Sequence, residues 1–302
     1  MKRAANIALG SNSTRMLTAN LDSDLSEPIR AREETRLFLS LEKGQELKPA
    51  VVLRVREAVE MLYDKAIAAG AERVFITATS AVRDARDTGP LCEGILLDTG
   101  EKLQVLSGKQ EAACSFLGAV RTCLKDRPLG VVDIGGGSTE IATGSMEVPR
   151  RVLSLQLGAS RLYAISPIDD FSGLVPALAQ AERMLNADVW DSDPPPQKWF
   201  LVGGTGTALI RLLKELPMNH GEIEDQEFTL PEASAMLRKL ARLMPMERSA
   251  LPGMTLGREN ILPTGLAVLT SLMTRLDIAR MTVTARNNTD GFLYTLYKNQ
   301  HE

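Results

Sequence analysis

The chain has 302 residues, 44% of them hydrophobic and 24% charged, which is enough for a sizeable buried core and, by length, for about two domains. Its 35 Lys and Arg against 38 Asp and Glu leave a formal net charge of −3, which argues against a nonspecific DNA binder with a broad basic field while permitting a local basic channel. No apolar run approaches the roughly 20 residues that a membrane span requires, and the opening MKRAANIALG leads into a strand-like segment rather than a secretory core, so a cytoplasmic protein with no membrane partner is expected.

The first patterned stretch is 6–20, NIALGSNSTRMLTAN: an apolar segment, a small-residue turn at Gly10, Ser11, Asn12 and Ser13, and a second strand through Met16, Leu17 and Thr18. Such a turn can direct backbone N–H groups at an anion. Residues 49–69 carry Val52, Val55, Val59, Leu62 and Ala66 at helical spacing, with Gly70 as a stop. A buried strand follows at 73–77, then a polar-capped helix start at 79–85 containing Arg83 and Asp84. A turn at 98–102 leads to a strand at 103–106 and to a helix that opens with SGKQEA at 107–112 and runs to about residue 124. This alternation implies a mixed or parallel sheet covered by helices.

Residues 126–128 read as a linker, which divides the chain into domains 1–126 and 127–302. The strongest local signal lies just beyond it, at 131–144, VVDIGGGSTEIATG. Val131, Val132, Ile134 and Ile141 favour strand, and Gly135, Gly136 and Gly137 remove Cβ atoms from a turn that can cradle phosphate. Asp133 and Glu140 flank the turn, where a hairpin brings both to its mouth and lets them hold a hydrated Mg²⁺ beside the phosphate. Ser138 and Thr139 can bind phosphate too, or serve simply as turn-closing hydroxyls.

A looser version of the same outline occurs at 200–210, FLVGGTGTALI, where Gly203, Gly204 and Gly206 break a strand before a helix, so a duplicated architecture is expected. Further on, a strand is expected at 153–157, a helix from 158, an exposed proline-rich connector at 191–197, helices at 230–244 and 262–276, a strand at 281–284 and a closing helix at 290–298. That last helix, 290–302 at its fullest, is a candidate addition to the first domain. The stripe Met236, Leu237, Leu240, Leu243 and Met244 suits core or a dimer surface.

Cys92, Cys114 and Cys123 form no CxxC pair, and Cys114 and Cys123 fall on one expected helix, so disulfides and zinc are disfavoured. His220 and His301 are the only histidines, which leaves acid–base chemistry to carboxylates. Glu111, in the first turn of its helix, is favoured there as an ionised base, although helix stabilisation alone would also account for it. Arg83 could equally be a solvated surface cation.

Taken together, LGSNSTRML at 9–17, TATSAVRDARD at 77–87, LSGKQEAACSFLGA at 106–119, VVDIGGGSTEI at 131–141, LGASRLY at 157–163, GGTGTAL at 203–209 and GRENILPTGLAVL at 257–269 resemble the exopolyphosphatase and guanosine pentaphosphate phosphohydrolase family. That family lies within the actin-like ATPase superfamily, and the length is similar to its short, two-domain members. The resemblance implies an α/β protein of two actin-like (ribonuclease H-like) domains, with mixed sheets flanked by helices and an interdomain cleft. It also implies hydrolysis of a terminal phosphoanhydride, with orthophosphate released from inorganic polyphosphate or guanosine pentaphosphate and Mg²⁺ or another divalent cation as cofactor. Glu111 matches the family's catalytic carboxylate, taken to orient and deprotonate water, and Arg83 a basic residue that contacts phosphate. Asp133 and Glu140 match metal-binding carboxylates, Gly10–Ser13 and Gly135–Ser138 the phosphate loops, and Arg161 and Arg258 lie inside matched motifs.

Three departures stand out. Ala8 replaces an aspartate two residues before Gly10, Ala113 replaces an arginine two residues after Glu111, and Asn287, Asn288 and Thr289 replace a glycine, leucine and arginine. A catalytically weakened polyphosphate- or nucleotide-binding protein is therefore an alternative, and a sugar- or acetate-type kinase a more remote one. A homodimer is compatible with the apolar stripes.

Overall fold

The computed structural model describes residues 1–38, 46–121, 123, 127–185, 195–217 and 221–301. The chain divides into two compact units, Met1–Cys123 with Arg286–Glu302, and Leu124–Ala285. His220, residues 191–194 of the proline-rich connector, residue 126 of the linker and the expected helix end near 124 lie outside the described residues.

In the first unit, β1 (Arg3–Leu9), β2 (Thr14–Asn20) and β3 (Ile29–Glu33) form an antiparallel meander, and β4 (Arg73–Ala78) and β5 (Leu103–Val105) add in parallel, giving the order β3-β2-β1-β4-β5. All but the first residue of β1 are buried, the pattern of a central strand covered on both faces. α1 (Pro49–Ala68) starts on a proline, which has no N–H to leave unpaired at a helix start, and buries Val51, Val52, Val55, Val59, Leu62 and Ala66. It ends at Ala68, two residues before Gly70, whose φ of +81° costs a glycine little. α2 (Ser80–Asp84), α3 (Gly89–Thr99) and α4 (Gly108–Val120) follow.

The chain re-enters this unit with α11 (Asn288–His301), which lies close against α4. A Cβ on Gly118 would fall on the Asn287 carbonyl, and one on Gly291 on that of Cys114. Asp290 is fully buried and takes both Arg30 guanidinium nitrogens, at 3.0 and 2.7 Å. The replaced triplet at 287–289 has a local use here: the Asn287 side chain accepts from the Thr289 amide at 2.9 Å while the Asn287 amide donates to Asp290 at 3.1 Å, a reciprocal helix cap.

In the second unit, β6 (Leu129–Ile134), β7 (Thr139–Gly144) and β8 (Pro149–Leu155) repeat the meander, and β9 (Lys198–Val202) and β11 (Arg280–Val283) repeat the parallel additions. β10 (Gln226–Thr229) closes the edge, in the order β10-β11-β9-β6-β7-β8. α5 (Ala159–Ile165), α6 (Leu174–Met184), α7 (Gly204–Leu213), α8 (Leu230–Ala241), α9 (Pro245–Ser249) and α10 (Ile261–Arg275) cover it. Two mixed α/β sheets flanked by helices are thus present, each built on the same first five positions.

Several expectations need correction. The helix carrying Cys114 ends at Val120, so Cys123 lies beyond it. The helix expected over 230–244 ends at Ala241, and a second begins at Pro245; accordingly Met236, Leu237 and Leu240 are buried whereas Met244 is exposed. Thr79 precedes α2 without capping it, and its hydroxyl donates instead to the Leu9 carbonyl at 3.4 Å.

Candidate active site

In the first unit the β1–β2 turn is closed by the Gly10 amide donating to the Ser13 carbonyl at 3.1 Å. Its carbonyls are held from behind: Ser11 accepts from the Phe38 amide and Asn12 from the Arg36 amide, both at 2.8 Å. In a trans peptide the next N–H points opposite the carbonyl, so the Asn12 and Ser13 amides face the other way, as an anion-binding turn requires. The Ser11 and Ser80 hydroxyls meet at 3.0 Å, which ties the turn to the start of α2.

Three residues along α2, Arg83 reaches the first turn of α4. Its Nη1 donates to the Leu106 carbonyl at 2.7 Å and to Glu111 Oε2 at 3.1 Å. Glu111 is buried to 6% exposure, and its position is fixed by a capping box in which Ser107 and Gln110 exchange side-chain and backbone bonds. The structure therefore brings together the two residues singled out as catalytic. The other terminal guanidinium nitrogen, Arg83 Nη2, is buried with no hydrogen-bond partner among the described residues. A donor left this way is costly unless an acceptor arrives. Cys114, one helical turn on, is no competing nucleophile: burial first, and then the charge of Glu111, push its thiol up to about 12.

In the second unit the β6–β7 turn repeats the first, with the Gly135 amide donating to the Ser138 carbonyl at 3.0 Å. Here the backing comes from α5. The Gly135 carbonyl accepts from the Ala159 amide at 2.9 Å, Gly136 from the Ser160 and Arg161 amides at 2.8 and 2.9 Å, and Gly137 from Arg161 Nε at 2.6 Å. Arg161, which lies inside a matched motif, thus acts on the loop. Gly158 lies so near that a Cβ would strike the Gly136 carbonyl. Ser138 and Thr139 are both buried, and the Thr139 hydroxyl donates to the Leu157 carbonyl, the turn-holding use of that side chain.

Asp133 and Glu140 are direct cross-strand partners, so their side chains leave the same face of the sheet. Glu140 Oε1 accepts from the Ser154 hydroxyl at 2.7 Å. Among the described residues no group of three or more metal-binding side chains occurs. A lone carboxylate pair suits Mg²⁺, which keeps several of its waters and completes its shell from substrate phosphates, better than it suits zinc or a fully protein-caged ion.

The third glycine loop, weak as a sequence signal, packs against this pair. Gly203 has φ +95°, and a Cβ there would come within 3.0 Å of Asp133 Oδ1. A Cβ on Gly204 would fall on the guanidinium of Arg258, itself buried to 5% exposure. Gly203 and Gly204 therefore set adjacent space for a carboxylate and a cation. Their role was missed as a site signal because it consists of the room that absent side chains leave.

A model of the Ppx/GppA phosphatase family matches residues 23–300, a span that begins after β2 and includes every candidate residue from Arg83 onward. Among solved structures, an exopolyphosphatase-like protein superposes with a TM-score of 0.91 at 22% identity, covering 100% of this chain and 99% of that one. The Ppx/GppA family member of Aquifex aeolicus gives 0.83 at 20% identity, covering 100% and 99%. An exopolyphosphatase from Cytophaga hutchinsonii gives 0.85 at 19% identity, covering 99% and 98%. These likenesses establish the fold. With most of its length matched by the family model, the chain belongs to the Ppx/GppA phosphatase family.

Proposed function

We propose that the chain is an exopolyphosphatase that hydrolyses the terminal phosphoanhydride of inorganic polyphosphate. The observation that carries this reading is the Arg83–Glu111 pair: a buried carboxylate at a helix start, held by one guanidinium nitrogen whose neighbour lacks a partner. Glu111 would orient a water and accept its proton as the water oxygen bonds to the terminal phosphorus. The bridging P–O bond breaks, and orthophosphate leaves a chain one unit shorter. Arg83 Nη2 would meet a phosphate oxygen, and the outward amides of the turn at 10–13 would bind others, since phosphoryl transfer asks the protein chiefly for position and charge neutralisation.

Asp133 and Glu140 would hold the divalent ion, Mg²⁺ by preference, which supplies further neutralisation of phosphate charge when bound. Arg258 would add a cation beside Asp133. Guanosine pentaphosphate presents the same terminal anhydride and is the nearest alternative substrate.

Purified protein given long-chain polyphosphate and Mg²⁺ should release orthophosphate, and Glu111→Gln should lower the rate by about 10²- to 10⁴-fold. Equal release by that variant would remove Glu111 from its role. Competition between polyphosphate and guanosine pentaphosphate separates the two substrates.

A weakened, chiefly binding protein is favoured by one observation: Ala8, buried on β1, occupies the place that Asp133 holds on β6. Polyphosphate binding without turnover in any divalent metal would support it.

A further inference from the structure

We propose that a cavity in the second unit, bounded by α6, α8 and α10, binds a small amphipathic anion. Its volume is about 690 Å³, within the range of small-molecule sites. Leu174, Leu178 and Leu185 form one wall and Leu237 another, so the body of a ligand meets aliphatic side chains. Ser271 lies about ten residues into α10, about 15 Å along the axis from Ile261, so the cavity is well removed from the end of the helix that follows Arg258.

Two independent features point to a ligand rather than to a packing defect. The first is the Ser271 hydroxyl. Thr270 and Thr274 in the same stretch both satisfy theirs on α10 carbonyls, donating to Leu266 at 2.9 Å and to Thr270 at 2.8 Å. The carbonyl that Ser271 would use by the same rule, that of Ala267, already takes a second contact from Thr270 at 3.3 Å. Ser271, 7% exposed and lining the cavity, is left with a buried hydroxyl and no hydrogen-bond partner among the described residues. A purely apolar void has no such group, whereas one polar atom in an aliphatic wall is how small-molecule sites fix orientation.

The second is the rim. Arg238 on α8 and Arg275 on α10 line the cavity, are exposed, and make no hydrogen bond or ion pair among the described residues. Glu182 is the one acidic residue among the cavity's lining side chains, so the mouth carries net positive charge. Aliphatic walls, one inner hydroxyl and a cationic mouth suit a molecule with a hydrocarbon body and an anionic head.

Sodium decanoate, kept below its micellar concentration, is a suitable probe, titrated calorimetrically into the full chain with decanol as its uncharged counterpart. Saturable one-site binding of decanoate is expected, with decanol about tenfold weaker and Ser271→Ala weakening decanoate by about fivefold, the size of one lost hydrogen bond. Arg238→Glu with Arg275→Glu, both on the surface, should erase the preference for decanoate over decanol. Leu178→Trp should fill the cavity and abolish binding; if it does not fold, Ser271→Ala and the rim pair decide. No saturable binding by the wild type, equal affinity for decanol, or unchanged affinity in Ser271→Ala and the rim variant would each overturn the proposal. Orthophosphate release by the rim variant should remain at the wild-type rate, so failure here is separable from failure of the proposed hydrolase activity.

Discussion

The two hairpin turns of this protein share a backbone and differ in charge. Each begins with a glycine whose amide is bonded to the serine carbonyl three residues on, at 3.1 Å for Gly10 and 3.0 Å for Gly135. Each is followed by Thr and then by a charged residue, Arg15 in one and Glu140 in the other. The cross-strand partner of that residue is Ala8 in the first hairpin and Asp133 in the second. One turn thus sits on a neutral and cationic pair, the other on two carboxylates. The difference teaches that anion-cradling geometry is a property of the peptide groups and of what bonds their carbonyls from behind. In the proposed site, metal-holding capacity would be added separately, by one position on each strand. The backing differs as well, a loop at 36–38 in the first hairpin and the start of α5 with Arg161 in the second.

The largest effect that separates the hairpins is expected from Asp133→Asn, which should lower Mg²⁺-dependent orthophosphate release by about 10²-fold or more. Arg15→Ala, in the first hairpin, should cost far less. Comparable losses in both would break the division of labour. Next comes Ala8→Asp, which gives the first hairpin a carboxylate opposite Arg15, where a cross-strand ion pair can accommodate it. A rise in activity of about tenfold, or about 1.4 kcal/mol in the barrier, is expected, with lower Mg²⁺ required for half-maximal rate. A fall would show that the first hairpin works through its neutral surface.

A smaller effect should come from Gly203→Ala, which forces a Cβ into a positive-φ position against Asp133 and should destabilise the second unit by about 1–3 kcal/mol. Denaturant unfolding reads that loss, and the Mg²⁺ dependence should shift with it. Smallest are Gly10→Ala and Gly135→Ala, whose new Cβ atoms would stand 2.9 and 3.1 Å from the serine carbonyls that close the turns. Each should cost about 1 kcal/mol, with Gly10 slightly the more sensitive. A marked excess at one position would mean that the turns are less alike than their hydrogen bonds indicate.

Much of this was legible in the residues. Strands β1, beyond Arg3, and β6 run apolar, but for Asn6 and Asp133, up to a small-residue turn, β2 and β7 resume beyond it, and α1 shows its buried stripe at helical spacing. The elements that escaped notice have physical reasons to do so. β3, with Ile29, Arg30, Arg32 and Glu33, is an edge strand with every residue at least partly exposed, so no alternation marks it. β10 is four residues long with one buried, Phe228. The pairing of Arg83 with Glu111 spans 28 positions and depends on where two short elements end, which no local pattern encodes. The use of Gly203 and Gly204 to admit Asp133 and Arg258 was equally hidden, because nothing in a strand–glycine–helix junction says what lies across from it.

The return of α11 to the first unit has a consequence in time. Arg30 and Asp290 are 260 positions apart, and α4 has its glycine-tight partner only in residues from 287 onward. During synthesis the second unit, one unbroken stretch of chain, can assemble its sheet and helices while the first still lacks the helix that completes its core. The hydrophobic surface of β1 and β2, with Ala4, Leu17 and Ala19, that Leu293 and Phe292 will cover must wait until α11 has been translated. The unit whose strands are made first is therefore completed only after the second, and a truncation within α11 would strike the first unit rather than the one that immediately precedes the helix.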